Sequence, residues 1–381
     1  MADALELFQA LISPEGREDP YRLYAALREQ GPLVTVGEGY LIATTYDTVD
    51  AVLRSPAFGV EEGGMFVEGT SLLRSNPPDH SRMRRLMSGV FTARRVAGLR
   101  EAIVANSNQL IDAMRGGGDT ADFMADFAYR LPVNIICELL GVPEKDREWL
   151  RPVASDFTAV IEAALTPEDS ASAATAGLLI RRYFTAMVEQ RRAQLEDDLV
   201  SALASEQESL TDGELLSNLG LLLVAGFETT TNLFGNGLRI LFDHPSRAAE
   251  LALHPNDFVE EFLRLDSPVQ LTTRVALQDT TLSGQKLRQE SIVLALIGSA
   301  NRDPRRFADP DTFDPSRPNN TPISFGAGAH FCLGAALARL EAQVAFPILL
   351  QRLPGLRPAG EPSRRPRLVL RGYESMPVSW N

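Results

Sequence analysis

Lysine is almost missing from this 381-residue chain. Of 37 basic residues only Lys145 and Lys286 are lysine, and arginine supplies the rest. Cysteine is as scarce, with only Cys137 and Cys332. Two cysteines exclude a disulfide framework and a zinc site built on paired Cys-x-x-Cys motifs, and they fit a reducing compartment. Positive charge is short as well: the net charge of −13 argues against a nucleic-acid or anionic-membrane partner. Histidine is limited to His80, His244, His254 and His330. The longest apolar stretch, Leu219 to Phe227, is far too short to cross a bilayer. The first residues, Met1-Ala2-Asp3-Ala4-Leu5-Glu6, lack the basic and apolar regions of a signal peptide. A cytoplasmic protein without a membrane anchor is expected. No repeat, low-complexity segment or long linker interrupts the chain, so residues 1–381 are expected to form a single large domain.

What is present is a strong helical pattern with a few strands. Leu33 to Val36 and Tyr40 to Thr44 flank Gly37-Glu38-Gly39 and read as a hairpin. Thr211 followed by Glu214 is a capping box. The apolar pattern behind it runs without proline to Asp243, where His244-Pro245 stops it. A helix of that length spans roughly 50 Å at 1.5 Å per residue. Asp257 to Leu265 predicts another helix. Thr272 to Leu296 is strand-like, with a Ser283-Gly284 turn. Asn301 to Pro322 predicts an ordered meander. The tail, Leu368 to Leu370 and Met376 to Trp380, predicts a final hairpin. The fold class is mainly α with small β-sheets.

The most informative segment is Phe325-Gly326-Ala327-Gly328-Ala329-His330-Phe331-Cys332-Leu333-Gly334. A glycine-rich loop delivers one cysteine to the start of a helix, where backbone N–H groups and the helix dipole favour the thiolate. Such a thiolate serves as a nucleophile, a redox thiol or a metal ligand. His330 is too near in sequence to be the usual base of a cysteine hydrolase. The glycines at 326, 328 and 334 do not make a dinucleotide loop. Cysteine thiolate is also an axial ligand of heme iron.

Three other clusters bear on that choice. Ala225-Gly226-Phe227-Glu228-Thr229-Thr230-Thr231 places a carboxylate and three threonines in the middle of the apolar helix. Read alone, it is an ordinary buried acid; read with a cofactor, Glu228 and Thr229 form an acid–alcohol pair. Glu261 and Arg264 stand at i, i+3, a spacing usually met in surface ion pairs of small value. Arg317 is a possible third partner. His80 and Arg84 stand at i, i+4 after Pro77-Pro78 and Asp79, with Asp79 as a helix cap. Read alone, this segment is a solvated basic helix start, although one face of the helix is suited to an anion. Arg82, Arg84, Arg85, Arg94 and Arg95 make a basic cluster in an acidic chain, a docking face for an acidic partner.

Taken together and in this order, these motifs resemble the cytochrome P-450 superfamily of heme-thiolate monooxygenases, over essentially the whole chain and in its soluble bacterial form. Phe325-Gly326-x-Gly328-x-His330-x-Cys332-x-Gly334 matches the cysteine-ligand loop, and Ala225-Gly226-x-Glu228-Thr229-Thr230 the oxygen-activation motif. Glu261-x-x-Arg264 with Arg317 matches the structural ion-pair set. The resemblance implies a P-450-like domain with a long central helix over thiolate-ligated heme b, and Cys332 as the iron ligand. It implies His80, Arg84, Arg274 and His330 against the propionates, with Phe325, Ala225 and Gly226 also beside the heme. Glu228 and Thr229 would deliver protons. It also implies O2 as co-substrate and electrons from a separate ferredoxin or flavodoxin with its reductase. A mainly hydrophobic substrate, hydroxylated or epoxidised in natural-product tailoring, would lie against Met65, Phe66, Leu72, Leu73, Phe227, Gln270 and Leu271. The alternatives are a peroxygenase using hydrogen peroxide and a non-catalytic heme-binding sensor.

Overall fold

The computed structural model describes residues 3–63, 70–162, 166–206 and 209–381. Packing divides the chain into two compact units. One comprises Met1–Glu61, Asn232–Cys332 and Pro362–Glu374; the other comprises Glu62–Thr231, Leu333–Glu361 and Ser375–Asn381.

The first unit is built on a five-stranded sheet in the order Leu33–Gly37, Tyr40–Ala43, Ile292–Ala295, Thr272–Ala276, Phe58–Gly59. The first two strands form the expected hairpin, with Leu33 opposite Ala43. Tyr40–Ala43 then runs parallel to Ile292–Ala295, and the remaining pairs are antiparallel. Leu33, Leu41, Phe58 and Val293 face a core shared with Val49 and Val52 of the Tyr46–Arg54 helix. Ile323 and Ala327 insert into the same core, which anchors the chain just before and inside the cysteine loop. The Pro255–Leu265 helix completes the unit's frame. The Ser283-Gly284 turn is present, both residues having positive φ, between strands Thr280–Leu282 and Gln285–Leu287.

The second unit is mostly helical. Its elements include Asp79–Val90, Arg100–Gly116, Arg130–Leu140 and Pro167–Ala193. Arg100–Gly116 packs on Ala335–Arg352, where Arg352 donates to Asn108 Oδ1 at 2.6 Å. The long helix runs Asp212–Asp243. Its capping box is complete: Glu214 N donates to Thr211 Oγ1 at 3.2 Å, and Thr211 N donates back to Glu214 Oε2 at 2.9 Å. Among the described residues no helix is long and apolar enough to cross a membrane.

Two local expectations are corrected. Met376 to Trp380 does not pair with Leu368 to Leu370. Instead Pro377–Ser379 lies antiparallel to both Thr120–Asp122 and Arg357–Pro358, while Leu370 makes a lone bridge to Val269. Strands of three residues carry too little pattern to name a distant partner. Asp79 does not cap its helix from outside. It is the first helical residue, behind Pro78, and its carboxylate accepts from Arg82 at 3.0 Å.

Candidate functional site

The cysteine loop is shaped by backbone hydrogen bonds. Gly326 N donates to Ile323 O at 2.8 Å, Phe331 N to Gly328 O at 3.1 Å, and Cys332 N to Phe325 O at 2.9 Å. The last bond closes the loop and fixes Cys332 beside Phe325. Two glycines make this path possible, both with positive φ, +69° at Gly326 and +68° at Gly328. At Gly328 a Cβ would also fall 2.2 Å from Leu53 O, so no side chain fits there. His330 ends a short 3-10 turn, Gly328–His330, and is half-buried like Phe325. Cys332 and Phe331 are exposed. The next helix starts only at Ala335, with Gly334 as its cap. Cys332 thus precedes the helix, and its own amide is committed to Phe325 rather than to the helix end.

The loop is held from behind by the Glu261–Arg264 pair. Arg264 Nε and Nη2 both reach the Glu261 carboxylate at 2.7 Å, with both side chains 0% exposed. Arg317 completes the triad at 3.7 Å. Asp314 N and Asn320 Nδ2 also donate to Glu261. The Arg264 guanidinium donates further to the carbonyls of Asn301, Pro310 and Thr312. Asn301 in turn accepts from Ile323 N at 2.8 Å and donates to Ser324 Oγ at 2.8 Å. The pair is therefore a buried knot that fixes the two residues ahead of Phe325, not a surface ion pair.

Arg274 lies in the Thr272–Ala276 strand and is buried. It donates to Thr273 O at 2.8 Å and to Thr272 Oγ1 at 3.2 Å. No carboxylate pairs with it among the described residues, and burial pulls its pKa down to about 10. A buried cation with only neutral partners is a ready counter-charge for an anion.

In the second unit, His80 and Arg84 share one face of the Asp79–Val90 helix, His80 buried and Arg84 half-buried. Arg82 is engaged within this unit. It donates to Ser209 O at 2.7 Å, to Asp79, and to both oxygens of Glu214. Arg85 and Arg94 are exposed, and Arg95 pairs with Asp197 at 3.5 Å. Midway along the long helix the burial pattern breaks. Phe227 and Glu228 are buried, whereas Ala225 is exposed and Leu222, Gly226 and Thr229 are half-buried. These four lie on one face by helical spacing. Thr229 Oγ1 donates to Ala225 O at 3.1 Å. Gly226 has a packing reason, since a Cβ there would sit 2.7 Å from Ile136 Cγ1.

The expected substrate contacts lie in different surroundings. Met65 and Phe66 lie outside the described residues. Leu72 is buried and Leu73 is 41% exposed. Phe227 is turned away from the open helix face and packs toward Tyr129, with ring centroids 6.4 Å apart. It lies two residues from Ala225, about 200° around the helix. Gln270 also points inward: its Nε2 donates to Ser267 O at 2.7 Å and to the Tyr21 hydroxyl at 3.3 Å. Leu271 is buried in the core.

Several strong groups escaped the sequence reading. Asp266 accepts from the Tyr21 hydroxyl at 2.6 Å and from Arg371 Nε at 2.8 Å. Burial alone would raise its pKa, but Arg371 and then Arg364 hold it below the usual carboxylate range. Arg302 stacks over the Tyr21 ring at 3.4 Å. Glu341, inside the Ala335–Arg352 helix, is buried and its pKa is raised well above the ordinary value by desolvation. Only the excess of arginine over lysine hints at the arginine pairings, because their partners are distant in sequence.

The donor set fits heme b. It offers one exposed thiol on a glycine-shaped loop and one buried arginine with no carboxylate partner among the described residues. Comparison with known proteins agrees. The family model described as "Cytochrome P450" matches residues 256–366. The chain is 37% identical over 386 residues to the cytochrome P450 monooxygenase PikC of Streptomyces venezuelae, covering 95% of this chain and 91% of that one. It is 39% identical over 383 residues to the mycinamicin IV hydroxylase/epoxidase of Micromonospora griseorubida, covering 94% of each. Among solved structures it is similar to P450BioI in complex with hexadec-9Z-enoic acid ligated acyl carrier protein. There the TM-score is 0.91 at 34% identity, over 97% of this chain and 99% of that one. The chain belongs to the cytochrome P450 family, the heme-thiolate monooxygenases. Proteins of this family bind heme through a cysteine thiolate, and several relatives belong to natural-product tailoring.

Proposed function

We propose that this enzyme hydroxylates or epoxidises a mainly hydrophobic organic molecule in natural-product tailoring, in the cytoplasm, with residues 1–381 working as one heme-thiolate domain. The observation that carries the proposal is the Cys332 loop, closed by its bond to Phe325 and backed by the Glu261–Arg264 knot. Cys332 would hold the iron as its thiolate. Bound heme supplies an electron-rich iron centre that activates O2 for insertion. The bond from Cys332 N to Phe325 O fixes where the sulfur sits, and Phe325 limits water beside it. His80, Arg84, Arg274 and His330 are the proposed propionate contacts, with Ala225 and Gly226 beside the ring. Arg274 is the best supported, because an anion would relieve a buried charge.

Thr229 and Glu228 are the proposed proton-handling pair. The Thr229 hydroxyl, now donating to Ala225 O, can turn to hold a water; Glu228 is the acid that restores the proton. This pair favours O2-dependent monooxygenation over peroxygenation. Glycine and threonine in mid-helix weaken the turn, so it can open without breaking the rest. Electrons come from a separate ferredoxin or flavodoxin with its reductase. The exposed Arg85 and Arg94 support an acidic partner there, with Arg82 excluded.

The deciding experiment is the absorption spectrum of the reduced protein with carbon monoxide. A strongly red-shifted Soret band that Cys332→His abolishes is the expected result; its absence in the heme-loaded wild type overturns the assignment. Product formed with NADPH, ferredoxin and reductase, but not with peroxide alone, separates monooxygenase from peroxygenase.

A further inference from the structure

The first unit contains a layer of buried polar side chains that the proposed chemistry does not use. Asn232 is fully buried in the long helix, and among the described residues neither its Nδ2 nor its Oδ1 has a protein partner. One turn on, Asn236 spends its Nδ2 on the carbonyls of Asp266 and Arg371, at 3.0 and 3.1 Å, and leaves Oδ1 unpaired. Ser267, next to Asp266, is fully buried with an unpaired hydroxyl. Gln270 keeps an unpaired Oε1 although its Nε2 is engaged, and the hydroxyl of buried Tyr24 is unpaired as well.

These groups form one connected layer. Gln270 Nε2 joins Ser267 O to the Tyr21 hydroxyl, and that hydroxyl donates to Asp266. Gly298 brings Gln270 and Tyr24 together, since a Cβ there would meet Gln270 Oε1 at 2.2 Å and Tyr24 Cε2 at 3.1 Å. Gly372, next to Arg371, lies against Asn232, whose Oδ1 is 2.0 Å from where a Cβ would stand. A buried amide with both atoms unpaired is strongly unfavourable, and buried polar groups in folded proteins are almost always satisfied by protein or by ordered water. Several such groups converging in one layer are what a buried water cluster requires.

We infer that this layer is a built site for ordered water, running from Asp266 and Tyr21 through Ser267 and Asn236 to Asn232, and that Asn232 is the positioning residue at its inner end. Asn232 stands at i+4 from Glu228 on the same helix face. The water held by Asn232 is the source from which Glu228 recovers its proton. Asp266 stays ionised and Tyr21 stays protonated, its pKa pushed up to about 12 by burial and Asp266. The far end of the layer is thus a fixed dipole array that orders water without exchanging its own protons at neutral pH. The use of the site rests on the proton role proposed for Glu228; its existence does not.

The test has two arms. The first is a crystal structure of the heme-loaded wild type at a resolution that shows ordered water. Peaks within hydrogen-bond distance of both Asn232 amide atoms and of Ser267 Oγ are expected. A dry amide, or one rotated onto a protein partner, overturns the site. The second arm compares Asn232→Leu, which keeps the volume and removes the polar atoms, with Asn232→Ser, which keeps a hydrogen-bonding group. Asn232→Leu should lower the melting temperature, divert oxygen into peroxide severalfold and enlarge the solvent deuterium effect on oxygen consumption; Asn232→Ser should recover part of all three. An unchanged or raised melting temperature with unchanged coupling means dry packing and ends the proposal. Water present with coupling and isotope effect unchanged in Asn232→Leu removes the proton-supply role. Glu228→Gln is the separating control: if it leaves coupling intact while the water peaks are present, the role of Glu228 fails and the water site stands.

Discussion

Arg264 meets Glu261 with two bonds of 2.7 Å, and neither side chain touches solvent. Residues three apart on a helix surface rarely gain much from such a pair. Here the helix face is buried, so each charge is worth keeping only while the other is present. Removing Glu261 leaves the buried Arg264 charge uncompensated, which costs about 3–5 kcal/mol, while removing Arg264 leaves Glu261 its weaker partner Arg317 at 3.7 Å. Glu261→Ala and Arg264→Ala should each abolish cooperative thermal unfolding near the wild-type midpoint. Arg264→Lys should rescue poorly, because an ammonium cannot serve the carboxylate and the carbonyls of Asn301, Pro310 and Thr312 together.

Gly326 and Gly328 separate two effects. Both need positive φ, which costs a non-glycine residue about 1–2 kcal/mol. At Gly326 nothing nearer than His330 O, at 3.9 Å, would meet a Cβ. At Gly328 the Leu53 carbonyl stands in the way. Gly326→Ala should give a modestly less stable protein that still binds heme. Gly328→Ala should lose heme on desalting and show a clearly lower melting temperature. Equal behaviour of the two variants would contradict the steric argument.

Arg274 predicts opposite signs in two states. Without heme, the buried guanidinium is a cost, because desolvation disfavours its charged form and pulls its pKa down. Arg274→Met should therefore melt at a higher temperature than wild type when heme-free. With heme, the cation meets an anion, and the same variant should release heme to apomyoglobin faster. A variant that is less stable in both states would mean that Arg274 is merely a packing residue.

Glu341 sets a pH dependence. Its folded pKa is raised well above 4.5 by burial, so the folded chain keeps the proton where the unfolded chain gives it up. The stability of the neutral form is fully present below the unfolded pKa and is lost as pH rises toward the folded one. Glu341→Gln should flatten stability against pH above about 4.5 and raise the melting temperature at neutral pH. Urea unfolding at several pH values checks the slope; an unchanged slope would show that Glu341 does not carry it.

Arg94 is exposed, and Arg95 pairs with Asp197 at 3.5 Å. Replacing both with Glu should slow ferredoxin-supported reduction and flatten its dependence on salt. Dithionite reduction is the control and should not change. A double variant with the wild-type salt profile would move the docking site elsewhere.

Much of this was legible in the sequence because it is local. The capping box at Thr211, the stop at His244-Pro245, the Ser283-Gly284 turn and the spacing of the cysteine loop all act within a few residues. What was not legible depends on distant partners. Phe227 packs toward Tyr129, a neighbour that only the folded chain supplies. Gln270 points to Ser267 and Tyr21, which only the folded chain brings near. The tail strand Pro377–Ser379 finds Thr120–Asp122 from across the sequence. The role of Glu261 and Arg264 was recognisable only from the resemblance, since their spacing alone reads as a surface pair.

Glu214 answers to two masters. Its carboxylate closes the cap of the long helix by accepting from Thr211, and it grips Arg82 of the Asp79–Val90 helix. Glutamine at this position could keep the first bond and would lose the charge of the second; aspartate is too short to keep both. The beginning of the long helix and the segment bearing His80 and Arg84 are therefore tuned by one side chain. Drift at position 214 would disturb both together, so a change at either Arg82 or Thr211 restricts which residues the chain can accept at the other.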